Sequence, residues 1–195
     1  MIVNGKKLAD EILAGLKKEF VKLPRLTVGA VLVGKNPASI SFIRRKARMA
    51  EKSGIGFKVF GFSSRVGAAL LKEEILKINR DKKINGIIVQ LPLPKRVNSG
   101  EILAVVNPKK DIDALSKRPL ILAPTAEAVK FIFEKYKINY RNKNILIVGR
   151  GQLVGRPIYE WLSSEIKRIQ AIDIEQKNLL PRLAREADII ISGVG

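Results

Sequence analysis

Neither histidine nor cysteine occurs among the 195 residues, which narrows the available chemistry at once. A Ser-His-Asp triad, imidazole or thiolate metal sites and disulfides are all excluded. Proton transfer must rest on Lys, Asp, Glu, Tyr or water. The most tellingly spaced residues are glycines. Gly149-Arg150-Gly151-Gln152-Leu153-Val154-Gly155 follows the apolar run NILIVG with G-x-G-x-x-x-G spacing, one residue longer than the usual dinucleotide fingerprint. Gly149 and Gly151 let the chain turn tightly between strand and helix, so that backbone can approach a pyrophosphate at the helix N-terminus. Arg150 can reach a phosphate. Asp173, 24 positions after Gly149, ends the next apolar run. A carboxylate there takes the ribose hydroxyls of NAD and repels an extra phosphate. Both features also fit a plainer role, the glycines as a strand-to-helix turn without a ligand and Asp173 as a strand-end or capping residue.

Two further runs place polar groups where apolar strands end: VGKNPASISFIRRKARMAEKSG, Val33 to Gly54, and GIIVQLPLP, Gly86 to Pro94. Ligands of open α/β sheets sit beyond the carboxyl ends of the strands. The two runs are therefore expected to face one another across a cleft. Taken singly, Lys46, Gln90 and Asp113 could be a solvated helix lysine, a strand-end cap and a linker charge.

The elements that must position these groups alternate. Apolar residues at Leu8, Ile12, Leu13, Leu16 and Phe20 predict a helix over 6–21. Strands are predicted at 26–34, 57–62 and 86–91, with helices at 38–52, 66–78 and 101–106. Asn107 to Pro119 is irregular and charged, the best candidate for a domain boundary. Thr125 is expected to cap a helix to Tyr136. Strands at 144–149, 168–173 and 187–195 then alternate with helices at 152–163 and 177–186. This βαβαβ order argues for α/β architecture, with parallel sheets in both halves.

The formal net charge of +19 raises nucleic-acid binding as an alternative. The basic residues are spread along the chain, however, and aromatics make up only 6%, little for stacking bases. The same field attracts an anionic small molecule, and a lysine-rich solvated surface explains it equally. No apolar run is long enough to span a membrane, and the N-terminus lacks a signal-peptide core, so a cytoplasmic location is the default expectation.

VGKNPAS, the lysine at Lys46, GIIVQLPLP, PKKDID and VGRGQLVGRP, in this order, closely resemble the methylene-tetrahydrofolate dehydrogenase/cyclohydrolase (FolD) family, over the whole chain. The resemblance implies a two-domain α/β enzyme: an open α/β sheet domain over 1–118 that binds folate, and a Rossmann-type NAD(P)-binding domain over 119–195. It implies oxidation of methylene-tetrahydrofolate by NADP or NAD, hydrolysis of the methenyl product and a homodimer; from composition, no metal is expected, and neither membrane nor nucleic acid is expected as partner. It casts Lys46 as the catalytic lysine, Gln90 as its polar partner and Asp113 as the carboxylate that holds the pterin. Phe42, Pro92 and Leu93 would line the substrate. Arg150, Gly151, Thr125 and Gly195 would contact the cofactor, beside Gly149, Gly155 and Asp173 of the fingerprint. The chemistry is coherent, because a lysine drawn partly out of water can exchange protons near neutral pH.

The sequence departs from the family pattern in several places. Phe42 stands where the family has a tyrosine four residues before the lysine, which is expected to weaken hydrolysis more than oxidation. Gly151 replaces a serine, Ala114 replaces the glycine of KDxDG, and Ala123 to Ala128 keep only Thr125 of PxTPxG. The family pattern also runs on past Gly195 with further strands, so the second domain is expected to be an incomplete Rossmann fold. A non-catalytic relative that binds folate or dinucleotide, or dimerises, is the alternative expectation.

Overall fold

The computed structural model describes residues 2–194, which divide into two compact units, Met1–Leu120 and Ile121–Gly195. In the first unit the order is α1 (Gly5–Phe20), β1 (Thr27–Val33), α2 (Pro37–Lys52), β2 (Gly56–Phe62), α3 (Ala68–Arg80), β3 (Gly86–Val89) and α4 (Ser99–Leu103). The sheet is parallel, ordered β2-β1-β3. The chain passes from β1 to β2 on one side and returns to place β3 on the other. The carboxyl ends of β1 and β3 are thus the switch point at which such sheets open a crevice.

Both faces of this sheet are covered, which is why its strands read as nearly unbroken apolar runs. Val31, Ile87 and Val89 pack with Leu71, Ile75 and Ile102 on one face, and Ala30 and Ile88 with Ile43 of α2 on the other. Helix α2 starts sharply because the Asn36 side chain accepts from the Ser39 N–H and Pro37 occupies the first turn. It ends at Ser53, before Gly54 at φ +76°.

The second unit contains α5 (Pro124–Lys135), β4 (Ile145–Val148), α6 (Gly155–Glu165), β5 (Ile169–Ile172), a 3₁₀ segment (Ile174–Leu179), α7 (Leu180–Glu186) and β6 (Ile189–Ser192). Its parallel sheet is ordered β5-β4-β6, so its switch point lies between β4 and β6. Ile145 and Ile147 pack with Phe133 of α5 and Trp161 and Leu162 of α6, while Leu146 and Ile172 meet Leu183 of α7. Phe133, Tyr140 and Trp161 form an aromatic trio, and Glu165 accepts from the Tyr140 hydroxyl at 2.6 Å and the Trp161 indole at 2.7 Å. Among the described residues no helix is long and apolar enough to cross a membrane.

Three sequence expectations need correction. Thr125 is not an N-cap: Ala123 is, with Pro124 and Thr125 inside the first turn of α5. The Thr125 hydroxyl instead donates to the Leu153 carbonyl at 2.8 Å, tying α5 to the glycine loop. Helix α6 begins at Gly155, three residues later than predicted, because the chain must first clear the turn at Gly149. The helix predicted from Lys177 is preceded by a 3₁₀ segment, which Asp173 opens with a capping box to Gln176.

Candidate active site

The two polar runs of the first unit do meet. The Gln90 N–H continues the ladder by donating to the Val31 carbonyl at 2.9 Å, so GIIVQ ends beside β1. The buried Ser39 hydroxyl of α2 lies 3.5 Å from the Leu91 carbonyl, linking the first turn of α2 to the QLPLP run. The Leu91–Pro92 peptide bond is cis.

Lys46 stands in the middle of α2. Its Nζ donates to Asp113 Oδ2 at 2.7 Å, across 67 residues of sequence. The pair is partly shielded, with side chains 34% and 20% exposed. Lys46 is thus paired with Asp113, while Gln90, which the family resemblance casts as the lysine's polar partner, makes its hydrogen bond elsewhere. The Gln90 Nε2 donates to the Leu91 carbonyl at 2.7 Å. Its Oε1 is buried without a hydrogen-bond partner among the described residues. An acceptor left so costs about 1–3 kcal/mol, a deficit that a ligand N–H would remove.

Asp113 is delivered by a segment that the sequence marks only as irregular. Ile87 of β3 donates to the Lys110 carbonyl at 2.6 Å, and Asp111 forms an isolated parallel bridge with Ile87. Ala114 follows at φ +55°, a left-handed conformation that costs a residue with a Cβ about 1 kcal/mol. Sequence reasoning missed Asp111, which is 5% exposed and whose Oδ2 accepts from the Ser116 N–H at 2.6 Å. No local signal separates it from the neighbouring charges, since its burial arises from pairing with a distant strand.

Phe42 lies one turn before Lys46 and is 50% exposed, with the Arg45 guanidinium 4.9 Å from its ring centroid. Pro92 is exposed. Leu93 departs from expectation: it is 8% exposed and packs in the core with Val89, so its side chain is spent on the fold. A cavity of about 660 Å³ lies instead beside the start of β2, against Phe20, Arg48 and Phe57, and none of the candidate residues lines it.

In the second unit each glycine of the fingerprint has a different function. Gly149 is held at φ +88°, in the left-handed region that glycine favours. A Cβ on Gly155 would lie 1.7 Å from the Gly149 carbonyl oxygen, so this is the position of closest backbone approach. Gly151 has nothing within 4 Å of a built Cβ, leaving room beside the loop. Val154, at the N-cap of α6, makes no side-chain cap bond. Arg150 and Asp173 line one cavity of about 620 Å³ with Arg156 and Tyr159. Asp173 directly follows β5 and is exposed. Gly195, also expected to touch the cofactor, lies outside the described residues.

Comparison with known proteins agrees with both halves. Residues 3–113 match the catalytic domain of tetrahydrofolate dehydrogenase/cyclohydrolase, and residues 123–195 match its NAD(P)-binding domain. The bifunctional protein FolD of Enterococcus faecalis is 33% identical over 209 residues, covering 100% of this chain and 73% of that protein. The bifunctional protein FolD of Rickettsia massiliae is 36% identical over 213 residues, covering 100% and 72%. The crystal structure of the bifunctional FolD enzyme from Campylobacter jejuni superposes with a TM-score of 0.91 at 29% identity, over 98% of this chain and 72% of that one.

Proposed function

Because this chain belongs to the tetrahydrofolate dehydrogenase/cyclohydrolase family, we propose how its own residues divide that family's two reactions. The chain is an NAD(P)-dependent methylene-tetrahydrofolate dehydrogenase and methenyl-tetrahydrofolate cyclohydrolase. In the first reaction the carbon bridging two folate nitrogens loses a hydride and becomes a methenyl cation. In the second, water adds to that carbon, one C–N bond breaks, and formyl-tetrahydrofolate and a proton are released.

The observation that carries the residue assignment is the Lys46–Asp113 pair at 2.7 Å. Asp113 takes the pterin's amino and ring N–H groups, which a carboxylate can accept in pairs. Lys46 already holds one of its oxygens, which sets the ammonium beside the bound ring. There, once water has added to the methenyl carbon, it gives a proton to the ring nitrogen whose C–N bond breaks and recovers one from the water-derived oxygen. Gln90 Oε1, buried and unpartnered, accepts from a folate N–H. The Phe42 ring stacks on the substrate, and having no hydroxyl it leaves water less well oriented, so hydrolysis is the weaker activity. The intact pair argues against a non-catalytic relative.

The second unit's residues fit a dinucleotide, which when bound supplies the hydride acceptor. The loop 149–155 takes the pyrophosphate against the start of α6, where backbone N–H groups favour an anion. Arg150 contacts phosphate and Asp173 the ribose hydroxyls. Asp173 favours NAD over NADP, and a clearly lower KM for NADP would reverse that assignment. The protein is a cytoplasmic homodimer. The seven-residue edge strand β2, with Val59 45% exposed, is the kind of surface a second copy covers. Light scattering that gives a monomer's mass would refute the dimer, and cell fractionation that finds the protein elsewhere would refute the cytoplasmic location.

The test of the whole reading is absorbance of reduced nicotinamide with methylene-tetrahydrofolate and each dinucleotide. Lys46→Met should lower cyclohydrolase turnover about 10²-fold, the usual contribution of a positioned acid–base group. No reduction of either dinucleotide at high enzyme concentration would overturn it.

A further inference from the structure

We infer that Asp111 is a positioning residue for folate, acting through Asp113 by clamping the turn that carries it. The inference rests on the folate reading of the first unit. Among the described residues Asp111 is the only charged side chain in the buried class, at 5% exposure. Within the same set it has no ion-pair partner, and its hydrogen-bond partner is the Ser116 backbone N–H at 2.6 Å. A carboxylate withdrawn from water without a cation is unfavourable, so its presence calls for something gained elsewhere.

The gain lies in the turn. On the near side, residues 110–112 are anchored to β3 by the Ile87 N–H to Lys110 carbonyl bond at 2.6 Å and the Ile112 N–H to Ile87 carbonyl bond at 3.4 Å. On the far side the bond from Ser116 to Asp111 closes the loop. Between the anchors sits Ala114 at φ +55°, which tends to relax toward negative φ. Relaxation there would swing its neighbour Asp113 away from Lys46. A charge-assisted hydrogen bond in a dry site is strong enough to oppose it. Asp111 thus touches no substrate, and its effect on folate must pass through Asp113.

The test is a set of folate and dinucleotide Kd values, measured by titration calorimetry on the full chain, with kcat and thermal midpoints alongside. Asp111→Ala should weaken tetrahydrofolate binding about tenfold, the scale of one lost charge-assisted bond, and leave the dinucleotide Kd within about twofold. Asp111→Asn, which keeps shape and an acceptor oxygen but not the charge, should fall between and serves if the alanine variant does not fold. In an Asp113→Asn background Asp111→Ala should add nothing further. Ala114→Gly, which removes the left-handed strain, should restore folate affinity to the Asp111→Ala chain. A full additive loss in the Asp113→Asn background would overturn the inference. So would parallel weakening of both ligands, or no rescue by glycine. An inactive wild type would instead remove the folate reading, and the inference with it, and is told apart because the other refuting results all require an active wild type.

Discussion

Gly155→Ala is expected to disable the second unit and leave the first intact. The new Cβ would lie 1.7 Å from the Gly149 carbonyl oxygen and 2.8 Å from its carbon. A relaxed carbon–oxygen contact needs about 3.3 Å, so the loop or the start of α6 must withdraw by roughly 1.6 Å. Neither side yields easily. The obstacle is backbone, and Gly149 is itself held at φ +88°, where a Cβ of its own would meet Val194 Cγ1 at 2.6 Å. Alanine gains about 1 kcal/mol over glycine in helix propensity, while overpacking against backbone costs up to about 3 kcal/mol, leaving a net loss of about 2 kcal/mol. A displacement of that size in a ligand cradle also costs roughly 10²-fold in function. Denaturant unfolding and calorimetric dinucleotide binding measure the two effects. Gly151→Ala is the stability control, since nothing lies within 4 Å of its built Cβ. A Gly155→Ala chain with wild-type midpoint and dinucleotide Kd, or a Gly151→Ala chain equally destabilised, would refute the reasoning.

Phe42→Tyr should raise the ratio of cyclohydrolase to dehydrogenase activity, assayed on the same preparation. It should change stability by less than about 0.5 kcal/mol, because the ring is 50% exposed. An unchanged ratio would detach the missing hydroxyl from water activation. The Glu165 carboxyl is held below its usual value of 4.5, first by the Tyr140 hydroxyl that donates to it and also by the Trp161 indole. With the folded value depressed, this site's stabilisation is complete above the unfolded value and is lost as pH falls through the folded one. Glu165→Gln should therefore flatten the acid side of the stability curve, read from urea midpoints between about pH 3 and pH 6. A variant curve parallel to wild type would show that the aromatic cluster does not set it. Ala114→Gly alone should raise the unfolding midpoint by the equivalent of about 1 kcal/mol without altering folate affinity, and a lowered midpoint would contradict the strain assigned to that position.

Much of the fold was legible because its punctuation is local. Asn36-Pro37 and Ser53-Gly54 bracket α2 in the sequence as they do in space, and the short apolar strands end where glycine or a polar residue follows. Lys46 is singled out by the family resemblance, since its place on the helix does not separate it from Arg44, Arg45 and Arg48. What escaped depends on contacts between residues far apart. Asp111 reads as one more linker charge until its segment is seen beside Ile87. Leu93 reads as a loop residue beside a substrate until it is seen packed with Val89. Thr125 has the right type for a cap, but Pro124 before it already occupies the first turn, and its hydroxyl finds Leu153. The late start of α6 follows from the close approach of Gly155 to Gly149, which propensity cannot anticipate.

The aromatic trio has an optical consequence. All of the tyrosines, Tyr136, Tyr140 and Tyr159, and the lone tryptophan, Trp161, fall in the second unit, while the first absorbs in the near ultraviolet only through phenylalanine. Intrinsic emission is therefore a private reporter of the second unit, and far-ultraviolet dichroism reports on both. A melt followed by the two signals together would show whether the halves unfold as one body or in turn. The Arg150 guanidinium lies 6.0 Å from the Tyr159 ring centroid, so an arriving dinucleotide that draws it away would register in tyrosine emission. A bound folate would bring its own absorbance to a unit that otherwise has almost none.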